Sequence, residues 1–174
     1  KEVGGKVDGY MRISLHWYNY DDLDLHMDSP YGHIYYGNKA DLLDVDMNAC
    51  GGSAFEERNN PKKFSRNAVE NIIFSGIPKA GTYKVFVNNF AKVENIDLGF
   101  EVEVELNGVI HTYVYDKDVP HKSDVLVLDF TSNGHEVIFT KEHLSSTTAS
   151  KEIWGVKTQN FVEVSAICLS PNYW

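Results

Sequence analysis

An all-β fold is what this sequence predicts: an antiparallel β-sandwich, jelly-roll or Ig-like, of about ten short strands. Three observations carry the prediction. Apolar residues recur with a period of two, turn signals recur at short intervals, and no long stretch shows the helical period.

The alternation begins with "MRISLHW", which sets Met11, Ile13, Leu15 and Trp17 against Arg12, Ser14 and His16. "DLDLHMD" then sets Leu23, Leu25 and Met27 against Asp22, Asp24, His26 and Asp28. "LGFEVEVELNG" opposes Leu98, Phe100, Val102, Val104 and Leu106 to Glu101, Glu103 and Glu105. "TYKVFV", "VLVLDF", "HEVIFT" and "FVEVSAICL" read as further strands, rich in β-branched and aromatic residues. Between these runs lie Ser29-Pro30-Tyr31-Gly32, Pro78-Lys79-Ala80-Gly81, Asn107-Gly108 and Asn133-Gly134. The two Asn-Gly pairs are the strongest hairpin signals, because both residues tolerate the positive φ of a tight turn. The sequence predicts at most a single helical turn, in "TKEHLSS" or "SRNAVEN". A hairpin through Asn19 to Asp21 would make His16 and His26 cross-strand neighbours.

Asn48–Ala68 and the stretch after Ser145 read as irregular connections, and long connections are often functional. The terminal "SPNYW" reads as a tail laid on the body, since Tyr173 and Trp174 are costly to leave in water. No linker divides the chain, so residues 1–174 are expected to form one domain.

The chain has 174 residues, 43% apolar and 24% charged, which fits a soluble globular protein rather than a disordered one. A net charge of −9 with no basic cluster argues against nucleic acid as a partner. No apolar run approaches the ~18 residues of a membrane span, so no membrane insertion is expected. The chain starts at Lys1 and reads as a processed chain or an excised domain. Cys50 and Cys168 make no disulfide framework, and whether they pair is open. Compartment is not fixed, although a secreted, periplasmic or virion-associated setting fits better than the cytoplasm.

Two acidic segments stand out. On a strand, alternate residues share a face at ~6.5–7 Å. "DLDLH" therefore lines up Asp22, Asp24 and His26, and "LLDVDMN" lines up Asp44, Asp46 and Asn48. Were the two segments adjacent, four carboxylates would crowd together, and a hard cation such as Ca²⁺ relieves that crowding. Asp and Asn are poor strand formers favoured in cation loops, which sets these segments apart from "GFEVEVEL". "DVDMNACGGSAF" opens like an EF-hand loop but has Ala49 at the sixth position and Phe55 at the twelfth, so it is none. The competing account is two half-exposed strands with acidic outer faces.

Histidines His16, His26 and His33 lack any H-x-H or H-E-x-x-H spacing. Ser14, Ser53 and Ser65 lack a nucleophile-elbow context. Cys50, followed by two glycines, with His26 or His33 as base, is the most nucleophile-like arrangement, and it is weak. Aromatics make up 13% of the chain, and "YGHIYYG" groups Tyr31, Tyr35 and Tyr36, which suits stacking on a sugar or peptide as well as burial in a core.

"LHWYNYDDLDLHMDSPYGHIYYGN", "LLDVDMNACGG", "VENIIF" and "PKAGTYKVFVNNF", in that order over about residues 13–90, resemble the YfaP-like domains of bacteria and phages, mostly uncharacterised β-sandwiches. The "PKAGTYKVFV" strand is also similar to one in calcium-stabilised sandwich modules of secreted proteases. The resemblance implies an acidic metal cluster of Asp22, Asp24, Asp44, Asp46 and Asn48, with Glu70 and Asn71 approaching from a third strand. The chain departs from the pattern in placing Gly51-Gly52 after "LDVDMN" and Ala68 where proline is usual.

The functional expectation is a non-catalytic binding or accessory module. It would be stabilised by a divalent cation, calcium by its oxygen ligands, and would recognise a surface glycan or a protein partner. A metal-dependent hydrolase built on the same acids, or a purely structural spacer in a phage or secreted assembly, are the competing classes.

Overall fold

The computed structural model describes residues 9–45, 47–48, 65–96, 98–150, 152–153 and 156–157. Eleven strands form two antiparallel sheets packed face to face as a β-sandwich, and no helix occurs among the described residues. The first sheet has six strands: β11 (Ser146–Ser150), β8 (Val109–Tyr115), β7 (Phe100–Leu106), β1 (Met11–Trp17), β5 (Ala68–Phe74) and β4 (Leu43–Val45), in that spatial order. The second has five: β10 (Val137–Glu142), β9 (Asp124–Ser132), β6 (Gly81–Ala91), β2 (Asp22–Ser29) and β3 (Gly32–Ile34). A separate two-stranded ladder joins β12 (Glu152–Ile153) to β13 (Val156–Lys157).

The period-two residues supply the core. Met11, Ile13, Leu15 and Trp17 of β1, Phe100, Val102 and Val104 of β7, and Leu23, Leu25 and Met27 of β2 are all buried. Tyr83 and Phe130 stack across β6 and β9 with centroids 4.5 Å apart. Burial holds the Tyr83 hydroxyl protonated, its pKa pushed up to about 12. Asn107 and Gly108 both adopt positive φ, 52° and 75°, and close the β7–β8 hairpin as their types predict. Pro30-Tyr31 turns β2 into β3, and the Asn133 side chain caps the β9–β10 turn by accepting from the His135 and Glu136 amides.

Three expectations are corrected. β1 and β2 do not form a hairpin; they lie in opposite sheets, because the Tyr18–Asp21 connection crosses the sandwich. His16 consequently lies between Val69 and Glu101, far from the strand that carries His26. No helical turn forms in "SRNAVEN" or "TKEHLSS", whose residues enter β5 in the first case and β10 and β11 in the second. β5 could not be a surface helix, for every one of its residues is buried. The strand expected at "FVEVSAICL", the "SPNYW" tail and both cysteines lie outside the described residues.

The crossover is tied down by Asp21. Its Oδ1 accepts the amides of Val93 (2.7 Å) and Glu94 (2.9 Å), and its Oδ2 accepts Asn19 Nδ2 (2.9 Å). Trp17 Nε1 donates to the Asp21 carbonyl at 2.7 Å, so the largest core side chain is satisfied at the same point. Asn48 makes a comparable knot. It sits in the left-handed region (φ 59°), accepts the Ser65 amide at 2.7 Å, and donates to the carbonyls of Ser65 and Asn19.

Candidate binding face of the five-stranded sheet

The residues expected to hold a cation divide between the sheets. Asp22 and Asp24 lie on β2, opposite Ala91 and Asn88 of β6, and are 2% and 4% exposed. Asp44 lies on β4, an edge of the other sheet, and is exposed. Asp46 is outside the described residues. Asn71 lies on β5 opposite Ser14, and the amide group of Asn48 is engaged in the knot above. The two acidic segments are thus not paired, and the crowding that a cation would relieve does not arise between them as neighbouring strands.

Glu70 spans the gap between the sheets. It occupies the core face of β5 beside Leu15, is 1% exposed, and its Oε2 accepts the Leu25 amide of β2 at 2.6 Å. β3 pairs only with Met27–Ser29, so the Leu25 amide lies beyond the end of that neighbour and takes the carboxylate instead. Asp22, Asp24, Asp44 and Glu70 all have interaction partners. Among the described residues, no three His, Cys, Asp or Glu side chains are grouped so as to hold a metal ion.

What β2 does assemble is a different group. His26, on the face away from the core, is the cross-strand partner of Phe86, and Asp28 is the partner of both Lys84 and His33. Asp28 Oδ1 is 2.7 Å from His33 Nδ1, and His33 Nε2 is 2.9 Å from His26 Nδ1. A carboxylate only accepts, so His33 Nδ1 carries the proton, and in neutral His33 the Nε2 accepts from His26 Nδ1–H. That leaves His26 Nε2 as a buried acceptor with no hydrogen-bond partner. Protonating it would bury an N–H with nothing to donate to. Burial, reinforced by the neighbouring His33 and opposed by Asp124 and Asp28, lowers the His26 pKa to about 4.

Rings surround this relay. His26 lies 5.6 Å from Tyr35 and 5.1 Å from Phe86 between centroids, and His33 lies 5.0 Å from Tyr35. Tyr35 meets Tyr36 edge-on at 5.0 Å, and Tyr36 meets Phe90 at 5.9 Å. Phe90 is the extra residue of a bulge, where Asp22 and Leu23 face Ala91 and Asn89, and it keeps the outward phase of Phe86 and Asn88. Tyr36 and Phe90 stay 47% and 39% exposed. Asn88 Nδ2 donates to Asp124 Oδ1 at 2.6 Å alongside, giving the aromatic strip a polar margin.

Sequence reading found Tyr35 and Tyr36 but passed over Phe86, Asn88 and Phe90. Their signal was present in "TYKVFVNNF": with Tyr83, Val85 and Val87 taking the core, two phenylalanines remain where polar residues are usual. Tyr31, grouped with them by sequence, packs instead toward the core beside Phe74. Among the described residues no helix is long and apolar enough to cross a membrane. No family model, curated protein or solved structure matches this chain, so the YfaP-like resemblance rests on its motifs.

Proposed function

We propose that the chain is a non-catalytic recognition module whose binding face is the outer surface of the five-stranded sheet, and that this face takes a carbohydrate chain. The carrying observation is the continuous strip of rings from Phe86 through His26, His33, Tyr35 and Tyr36 to Phe90. Aromatic faces carry partial negative charge and attract the C–H groups of a pyranose, while carboxylates and amides at the margin accept or donate to hydroxyls. A strip left in water without such a partner is costly, which is why exposed aromatic patches mark interaction sites.

Glycan-array screening followed by titration of the best hit tests the reading. Tyr36→Ala and Phe90→Ala should each weaken binding about tenfold or more while leaving the melting temperature nearly unchanged. A blank array would favour the structural-spacer class, and capture of a protein through the same two rings would replace the glycan with a protein partner.

The calcium expectation is a separate proposal, favoured by Asp22 and Asp24, two carboxylates buried on one face of β2. It predicts that Ca²⁺ added after EDTA treatment raises the melting temperature and that Asp24→Asn removes the rise. An unchanged melting curve would remove both the cation and the metal-dependent hydrolase built on it.

A further inference from the structure

We infer that the cleft between edge strands β10 and β11, on the side of the sandwich opposite β3 and β4, is a second binding site, shaped for a single hexopyranose unit. The sheets part here to leave a cleft of about 290 Å³. This is near the lower bound of small-molecule sites, about 300 Å³.

The cleft opens at the rim of the sandwich, where Thr140, Lys141, Glu142 and Thr148 are exposed, and its chemistry differs from that of the core. Tyr113 and His111 share the inner face of β8, and their register partners on β11 are Ser146 and Thr148. Elsewhere the inner face of this sheet is mostly apolar, but at this edge it presents an imidazole and two hydroxyls. Phe139 of β10 reaches across from the other sheet and meets His111 edge-on at 4.8 Å, so the two rings form the floor.

A bulge arms the opposite wall. Phe139 pairs with Phe130 and Lys141 with Asp129, leaving Thr140 as the extra residue, and Lys141 and Glu142 both line the cleft although they are adjacent in sequence. Bulges re-aim side chains in this way and recur beside binding sites. Glu142 is fixed: its Oε1 accepts the Tyr113 hydroxyl at 2.7 Å and the Ser146 hydroxyl at 3.0 Å. Those bonds direct Oε1 inward and leave Oε2 as an acceptor. Burial, the hydrogen bond and the negative charge of Glu142 together push the Tyr113 hydroxyl above its ordinary range, so it remains a donor. Lys141 is exposed and offers three donors.

A rigid carboxylate acceptor, an ammonium donor, hydroxyls that do both and an aromatic floor match a neutral polyol ring. An anion would meet Glu142. A zwitterion would have to surrender its ionic hydration to charges that stand in water, where ion pairing contributes little. Neutral hydroxyls exchange water for charge-assisted bonds without that loss. This site does not depend on the aromatic strip, from which β10 is separated by β9.

The test is an amide-resolved NMR titration of the whole chain with methyl glucopyranoside, methyl galactopyranoside and methyl mannopyranoside. At least one should give saturable shifts at His111, Thr140–Glu142 and Ser146–Thr148, with a dissociation constant on the order of 1 mM, as expected for a ligand of that size. Glu142→Gln should weaken it about tenfold. Lys141→Met, which removes a side chain the fold does not use, should weaken it severalfold with the spectrum otherwise intact. Phe90→Ala should leave it unchanged. No saturable shift with any glycoside, shifts confined to residues 33–36 and 86–90, or equal shifts with glycine or acetate would each overturn the inference.

Discussion

Glu70 of one sheet accepts the Leu25 amide of the other at 2.6 Å, a carboxylate serving where a neighbouring strand would otherwise have supplied a carbonyl. An acid in a strand that is buried throughout is thereby given a reason in the fold itself. Glu70→Ala should cost about 2–3 kcal/mol, because it leaves a buried donor unsatisfied and a void beside Leu15. Urea unfolding gives the loss, and hydrogen exchange should accelerate at Leu25 more than at Met27, whose strand neighbour is intact.

Asp21 makes a second prediction. One carboxylate oxygen serves two amides of the segment after β6, and the other serves Asn19. Asp21→Ala should destabilise by about 2–3 kcal/mol and expose the Val93 and Glu94 amides to exchange. Asp21→Asn, which keeps one acceptor oxygen, should lose less.

Stability should depend on pH through His26. The unfolded chain binds the imidazole proton near 6.5 and the folded chain only near 4. Between these values the unfolded state holds more protons, so stability falls as pH is lowered and levels off below about 4. His16, lowered by burial against the pull of Glu103 and Glu101, acts in the same direction. After allowance for solvent screening, the His26 contribution is on the order of 1 kcal/mol. Unfolding measured from pH 7 to pH 4 should show a shallower decline in His26→Gln than in the wild type.

Two glycines separate backbone strain from steric conflict. At Gly99 (φ 64°) a Cβ would sit 1.8 Å from the Tyr115 carbonyl oxygen, whereas at Gly108 (φ 75°) it would meet nothing within 4 Å. Gly99→Ala should therefore cost roughly 3–4 kcal/mol or prevent folding. Gly108→Ala should cost only about 1 kcal/mol, the penalty of the left-handed conformation alone. Thermal melts of the pair decide it.

The strands were legible because burial on one face imposes the period of two, and "MRISLHW" coincides with β1 residue for residue. The Asn107-Gly108 hairpin was legible because the turn demands positive φ. Sheet membership was not. Alternation says that Asp22 and Asp24 share a face, but not that the connection before them crosses the sandwich, nor that their face is covered. For the same reason the likeness between "DLDLH" and "LLDVDMN" suggested neighbours where the fold has strands of different sheets. The ring strip was half legible: Tyr35 and Tyr36 are close in sequence to His33, while Phe86 and Phe90 join them only through the pairing of β2 with β6. Glu70 was marked by its setting in an apolar run, but its bond to the Leu25 amide depends on how the two sheets stack and is not written in the alternation.

Asn48 accepts from the amide and donates to the carbonyl of the same residue, Ser65. A third bond, to the Asn19 carbonyl, brings the connection between the two sheets to the same amide. One uncharged side chain thus joins three segments far apart in sequence, and a junction made without ionic charge keeps its strength at the salt concentrations and pH values that weaken ion pairs.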